Sequence, residues 1–290
     1  MTSPTVLISG LGLMGGSLAA ALVGSPWTVR LHHRRREVVT RAAELGFGTP
    51  VTDLPAAVAD CDVVVVCTPV SIIAEHIRAL VPFGPHAVFT DVGSVKGVIC
   101  HELADLARSG RFVGSHPMCG SHQQGLEHAD ATLYRGATSI LTPLPETPPA
   151  AVALVEQLWQ AVGCRTLRLS PDAHDLAVAQ ASHLPHVLAA AAAAGLSPPA
   201  APIAAAGFRD TTRVAAGNAG LWSDILLHNR RAVLDEVRAA ITRLRDLEDA
   251  LAKRDANAVW GWLERGRAGR QRFDALRAPV AAPDAGCSEE

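Results

Sequence analysis

Thr5-Val6-Leu7-Ile8-Ser9-Gly10-Leu11-Gly12-Leu13-Met14-Gly15 joins a β-branched apolar run to three glycines spaced G-x-G-x-x-G. Residues 5–9 predict a strand and residues 14–24 a helix, so the glycines fall in the turn between them. Each glycine has its own task. Gly10 permits the tight turn, Gly12 lets the backbone approach a pyrophosphate, and Gly15 allows close packing of helix on strand. The helix N-terminus then offers unpaired N–H groups and a partial positive charge to phosphate. The hexapeptide alone is a weak signal, but between a strand and a helix it reads as a dinucleotide loop.

The alternation continues down the chain. Residues 28–32 read as a strand, 36–46 as a helix, and the run CDVVVVC at 61–67 as a strand covered on both faces. A helix over 71–80, the strand AVFTDV at 87–92 and a helix over 96–108 follow. FVGSH (112–116), SILTP (139–143) and CRTLRL (164–169) read as later strands, the last two on either side of a helical 150–162. Repeated βαβ units imply a parallel sheet with helices on both faces. The expected fold over 1–170 is therefore a Rossmann-type, doubly wound α/β domain. Beyond Ser170-Pro171 strand signals stop, and helices are expected over 172–195, 199–217, 221–253 and 255–276. Asp172 reads as an N-cap after Pro171, and Gly195 with Pro198 and Pro199 as a stop. Leu226, Val233, Val237, Ile241, Leu244, Leu247 and Leu251 form an apolar stripe that needs a covering surface. The expected organisation is a nucleotide domain (1–170), an all-α domain (171–277) and a disordered tail (278–290).

Composition narrows the function classes. The 290 residues are 49% hydrophobic and 19% charged, ample for a core, and the net charge is −2 without a basic block, which speaks against a nucleic-acid partner. Lys96 and Lys253 are the only lysines, so chemistry needing an ε-amine has two candidates. Six cysteines without a C-x-x-C pair suit reduced thiols in the cytoplasm better than a disulfide scaffold. The apolar start at 6–23 lacks a basic flank and is broken by glycines, unlike a signal peptide. No later stretch offers roughly 20 uninterrupted apolar residues, so no membrane partner is expected.

The second strand bears on the choice of dinucleotide. An NAD site commonly has an acid about 20 residues beyond the glycines to bind the ribose 2′-hydroxyl. Here the stretch is Leu31-His32-His33-Arg34-Arg35-Arg36, with no acid before Glu37. His33 and Arg34 would attract a 2′-phosphate, so NADP is expected in preference to NAD. A solvated basic turn compatible with either cofactor is the alternative. The expected cofactor set is Gly10, Gly12, Leu13, Met14, Gly15, His33, Arg34, Thr68, Pro69, Gly93 and Ser94.

Four further segments carry chemistry: DVGSVK (91–96), GSHPMCGS (114–121), SHLPH (182–186) and GFRDTTR (207–213). The first two follow strands, and strand C-termini face the ligand crevice in an open parallel sheet, which brings Ser94 and His116 near a nicotinamide. With GLGLMGGS ahead of them and Trp222-x-Asp224-Ile225…Asn229 behind, these motifs stand in the order of one family. The chain resembles the TyrA family of prephenate and arogenate dehydrogenases from residue 5 to about 275. With no chorismate mutase segment before the glycine loop and no room for an ACT domain after Ala278, it resembles the monofunctional form.

The resemblance implies a 6-phosphogluconate-dehydrogenase-like architecture whose helical half dimerises, and an oxidative decarboxylation of prephenate, or of arogenate. It implies that His116 accepts the hydrogen bond of the substrate's 4-hydroxyl, with Ser94 beside it. Arg213 then holds a substrate carboxylate, and Ser121, His186 and Trp222 line the pocket. Asp210 is expected to orient the pocket's cationic groups. His186 tilts the choice toward prephenate.

Other readings are weaker. β-Hydroxyacid dehydrogenases generally use a lysine in the helical half, where this chain has only Lys253. A nicotinamide-binding redox sensor would not need His116, Ser94 and Arg213 together. The H-x-x-H pair His183/His186 lacks a third metal ligand, so no metal is expected and His183 reads as structural. Cys119 beside His116 reads as packing, and Lys96 as a cap or brace at its helix start.

Overall fold

The computed structural model describes residues 3–121 and 123–277; the expected disordered tail lies outside them. In chain order the elements are β1 (Thr5–Ser9), α1 (Leu13–Ala21), β2 (Thr28–His32), α2 (Arg36–Glu44), β3 (Thr49–Pro50) and α3 (Leu54–Ala59). Next come β4 (Val63–Val66), α4 (Val70–Leu80), β5 (Val88–Asp91), α5 (Gly97–Glu102), α6 (Ala104–Arg108) and β6 (Gly114–Pro117). They continue with β7 (Thr138–Thr142), α7 (Pro149–Ala161), β8 (Arg165–Arg168), α8 (Pro171–Val178) and α9 (Leu184–Ala194). The last are α10 (Ala206–Thr212), α11 (Ala219–His228), α12 (Arg230–Ala252) and α13 (Ala256–Arg277).

Five parallel strands form the main sheet in the order β3-β2-β1-β4-β5. Its pleat sorts the apolar side chains onto two faces. Val6, Ile8, Val63 and Val65 join one core, while Leu7, Val64, Val66 and Phe89 join the other. That is why the valine run is apolar at every position. The remaining strands depart from a single parallel sheet, forming a second sheet in the order β6-β7-β8. In it β6 and β7 are antiparallel and β7 and β8 parallel. Among the described residues the linker from β6 to β7 carries no crossover α-helix, whereas α7 spans β7 to β8, and only the latter connection returns a strand in parallel.

The helical half also differs from expectation. Ser170, not Asp172, caps α8: its Oγ accepts from Ala173 N at 3.2 Å, with Pro171 in the first turn. A π-helical turn, Ala179–His183, joins α8 to α9, next to Pro185, which lacks the N–H to continue an i→i−4 ladder. The run Pro171–Ala194 is, by length and composition, long and apolar enough to cross a membrane, contrary to expectation. It nevertheless buries His174, His183 and His186 within the protein. Only Ala206–Thr212 of the expected 199–217 helix is α-helical, because Pro198, Pro199 and Pro202 precede it. The expected 96–108 helix is divided at Leu103, and the expected 221–253 helix at Asn229. Asn229 turns its side chain inward, donating to Asp175 O at 2.8 Å and lying 3.1 Å from His183 Nδ1.

The chain divides into two compact units after Leu234. The first contains both sheets and α1–α11, because α8 packs on α5 and α11 on α4. In the second, Trp262 Nε1 donates to Arg243 O at 2.8 Å, tying α13 to α12.

Candidate active site

The glycine loop has the shape its sequence requires. Gly10 has φ +107°, and a Cβ there would lie 2.6 Å from the Cys67 carbonyl oxygen. At Gly15 a Cβ would stand 1.9 Å from the Gly10 oxygen, whereas at Gly12 it would meet nothing within 4 Å. Gly10 and Gly15 therefore close the turn, and Gly12 faces open space. Leu13 and Met14 begin α1, and the Met14 carbonyl accepts from Tyr134 OH at 2.8 Å. Thr68 and Pro69 follow β4, with Thr68 Oγ1 buried and without a hydrogen-bond partner among the described residues. Gly93 and the half-buried Ser94 follow β5. All these segments leave the C-terminal ends of neighbouring parallel strands. An open glycine cradle, a helix N-terminus and an orphaned hydroxyl suit a dinucleotide.

Beyond β2, His33 Nδ1 accepts from Arg35 N at 3.0 Å, and Arg34 is exposed. His32 Nδ1 lies 3.0 Å from Ser9 Oγ, which also lies 3.0 Å from His76 Nε2. Burial lowers the pKa of His32, His33 and His76 alike.

The densest polar network surrounds His116, on β6. Its Nδ1 lies 2.8 Å from His174 Nε2, and His174 Nδ1 lies 2.8 Å from Asp175 Oδ1. Asp175 in turn accepts from the backbone N–H groups of Lys96 (2.7 Å) and Gly97 (2.8 Å). Burial first, then His174, Lys96 and His183, hold the His116 pKa well below that of a free imidazole, so it is neutral at pH 7. Behind β6, the Lys96 ammonium pairs with Asp91, both side chains being fully buried, and donates to Ser115 O at 2.9 Å. Lys96 was expected to brace its helix start; its side chain instead enters the core, where Asp91 offers the matching charge.

Across α9, His186 stacks on Trp222 with ring centroids 3.5 Å apart, and its buried Nδ1 has no hydrogen-bond partner among the described residues. A Cβ at Gly217 would fall 2.6 Å from Trp222 Nε1, so glycine permits this stacking. His183 is buried beside Asn229, and burial pushes its pKa down to about 4. Ser121 lies exposed, its Oγ accepting from Gln123 N at 3.2 Å. Arg213 is exposed, and so is Asp210, whose ion-pair partner is the adjacent Arg209 at 3.3 Å. That pair lies within α10. No cluster of His, Cys, Asp or Glu arranged to hold a metal occurs among the described residues. Sequence reading missed His174 and Asp175, and used Asn229 only as part of a motif; the adjacent His174-Asp175 pair inside α8 was the available signal.

Residues 20–168 match the family described as prephenate dehydrogenase, nucleotide-binding domain, and residues 170–265 match prephenate dehydrogenase, dimerization domain. The chain belongs to the prephenate dehydrogenase family. Family membership makes it an NAD(P)-dependent dehydrogenase. A cyclohexadienyl dehydrogenase of Zymomonas mobilis is 35% identical over 263 residues, covering 87% of this chain and 90% of the relative. Among solved structures, Aquifex aeolicus prephenate dehydrogenase in complex with hydroxyphenyl propionate and NAD+ superposes with a TM-score of 0.85 at 29% identity, over 94% of this chain and 99% of that one. Synechocystis arogenate dehydrogenase superposes with a TM-score of 0.80 at 30% identity, over 93% and 99%. The family's nucleotide-domain match begins at residue 20, after the glycine loop, so the loop is identified by its own geometry.

Proposed function

We propose that the chain oxidatively decarboxylates prephenate to 4-hydroxyphenylpyruvate. The observation that carries this reading is a neutral, buried imidazole, His116, on β6, whose neighbour Ser115 bonds Thr90 and Asp91 on β5, the strand that leads into Ser94. The nicotinamide, when bound to Gly10, Gly12, Leu13, Met14, Gly15, Thr68, Pro69 and Gly93, supplies the acceptor for the hydride leaving C4. His116 takes the 4-hydroxyl proton as that oxygen acquires ketone character. The C–C pair of the ring carboxylate then moves into the ring, CO2 leaves, and the proton held on His116 returns to the phenolic oxygen. Ser94 orients the hydroxyl, Arg213 binds a carboxylate through its planar fork, and Ser121 adds a hydroxyl to the pocket rim.

Prephenate is favoured over arogenate because of His186. Burial keeps it neutral, and its unpartnered Nδ1 offers a hydrogen bond but no negative charge to balance an ammonium. NADP is favoured over NAD because no acid stands between β2 and Glu37, while Arg34 is exposed there. The test is the appearance of reduced nicotinamide with prephenate and arogenate crossed against NAD and NADP. Turnover is expected fastest with prephenate and NADP; a faster arogenate cell would reassign the substrate, and silence in all four would remove the activity.

The enzyme is further proposed to be a cytoplasmic homodimer, and its five free cysteines among the described residues suit a reducing compartment. The second compact unit leaves Ile241, Leu244, Leu251, Trp260 and Leu263 each more than two-fifths exposed, large apolar side chains that a partner subunit would cover. Light scattering on the eluting peak is expected to give twice the chain mass, and a monomer at micromolar concentration would refute the dimer.

A further inference from the structure

Asp175 accepts one backbone N–H on each carboxylate oxygen, from Lys96 and from Gly97. A carboxylate at neutral pH is an acceptor only, so the hydrogen between Asp175 Oδ1 and His174 Nδ1, 2.8 Å apart, sits on the histidine. A neutral imidazole protonated on Nδ1 carries its lone pair on Nε2. That atom faces His116 Nδ1 at 2.8 Å, with the rings at 65° to one another, so the His116 nitrogen must be the donor. Donor and acceptor roles then alternate without choice from the carboxylate to His116.

We propose that Asp175 and His174 are positioning residues that lock His116 in its Nδ1–H tautomer, presenting the Nε2 lone pair to the substrate hydroxyl. This inference rests on the role assigned to His116 above. As the 4-hydroxyl proton arrives on Nε2, the positive charge on the ring strengthens its Nδ1–H bond to His174, and the Asp175 charge stabilises it through the chain. Asp175 also fixes the first N–H groups of α5, so the loop carrying Ser94 and the strand carrying His116 are set by one side chain. An amide there has a donor where the native residue has none. Asp175→Asn that turns its NH2 toward His174 reverses every hydrogen in the chain and leaves His116 with a proton on Nε2.

The test uses the full chain labelled with 15N-histidine, without substrate, and reads ring protonation from long-range 1H–15N correlations. His116 is expected to carry its proton on Nδ1 in the native protein and on Nε2 in Asp175→Asn. The variant's kcat is expected to fall on the order of 10²–10⁴-fold, as when an orienting carboxylate is neutralised in a serine-protease triad, with KM for prephenate changed less than about threefold. Because Asp175 also anchors the α5 loop, His174→Leu and His174→Gln provide a second arm. Leu leaves Nδ1 of His116 without an acceptor and should lose about 10²-fold in kcat, while Gln, whose amide oxygen can accept, should retain more. An Nε2–H tautomer in the native protein overturns the proposal, as does native kcat in folded His174→Leu. The tautomer is read without substrate, so a wrong substrate assignment shows itself as a silent native enzyme and leaves this measurement standing.

Discussion

His116→Asn lowers kcat by at least about 10²-fold at pH 7 while KM for prephenate stays near native. The amide fits the space and can still hydrogen-bond His174, but it cannot take a proton from the substrate hydroxyl. The loss therefore falls on the transition state, where the hydroxyl becomes a ketone-like oxygen, and not on ground-state binding. The pH dependence has a definite sign. The neutral base is the active form, and burial together with His174, Lys96 and His183 lowers its pKa. Protonation of His116 thus begins only below the ordinary histidine range, and kcat is expected to be level from pH 8 to 6.5. A kcat that fell through an apparent pKa near 6.5, or an Asn variant of native activity, would show that another group accepts the proton.

Much of this site is legible in the sequence where local chemistry imposes it. The glycines at 10, 12 and 15 can be read because a turn, a close approach and a tight packing contact each exclude side chains; the structure returns such distances at Gly10 and Gly15, and leaves Gly12 facing open space. The valine run is legible because a strand covered on both faces has no polar position. What escaped reading depends on contacts between distant segments. Asp175 meets the N–H groups of residues 96 and 97, more than 75 positions earlier, and no local pattern announces that. Asn229 interrupts an apparently continuous helix in order to bond Asp175 and His183, so tertiary hydrogen bonds override the periodicity of the apolar stripe. The antiparallel turn of β6 was equally hidden, since strand propensity says nothing of direction.

The buried ion pair behind β6 yields the largest expected effect on stability. Lys96→Met removes the cation and leaves the Asp91 carboxylate fully buried, still accepting from Gly93 N at 2.9 Å and Ser115 N at 3.1 Å but without its counter-charge. Removing one partner of such a pair costs about 3–5 kcal/mol, because the remaining charge is stranded in low dielectric. The urea midpoint should drop accordingly, with m unchanged. Asp91→Asn in the same chain should restore part of the loss, because a neutral amide beside a methionine no longer strands a charge. Lys96→Arg should not restore it, although arginine is the cation at nearly every other basic position of this chain. A planar five-donor fork needs more partners than the Asp91 carboxylate and the Ser115 carbonyl, where a compact ammonium is satisfied. Because Lys96 N and Gly97 N also hold Asp175, the destabilised loop should loosen His174 as well, and kcat in Lys96→Met should fall even at temperatures where the protein remains folded. A Lys96→Met protein within about 1 kcal/mol of native would mean that the Gly93 and Ser115 N–H groups satisfy Asp91 without a counter-charge, and would refute the stabilising role of the pair.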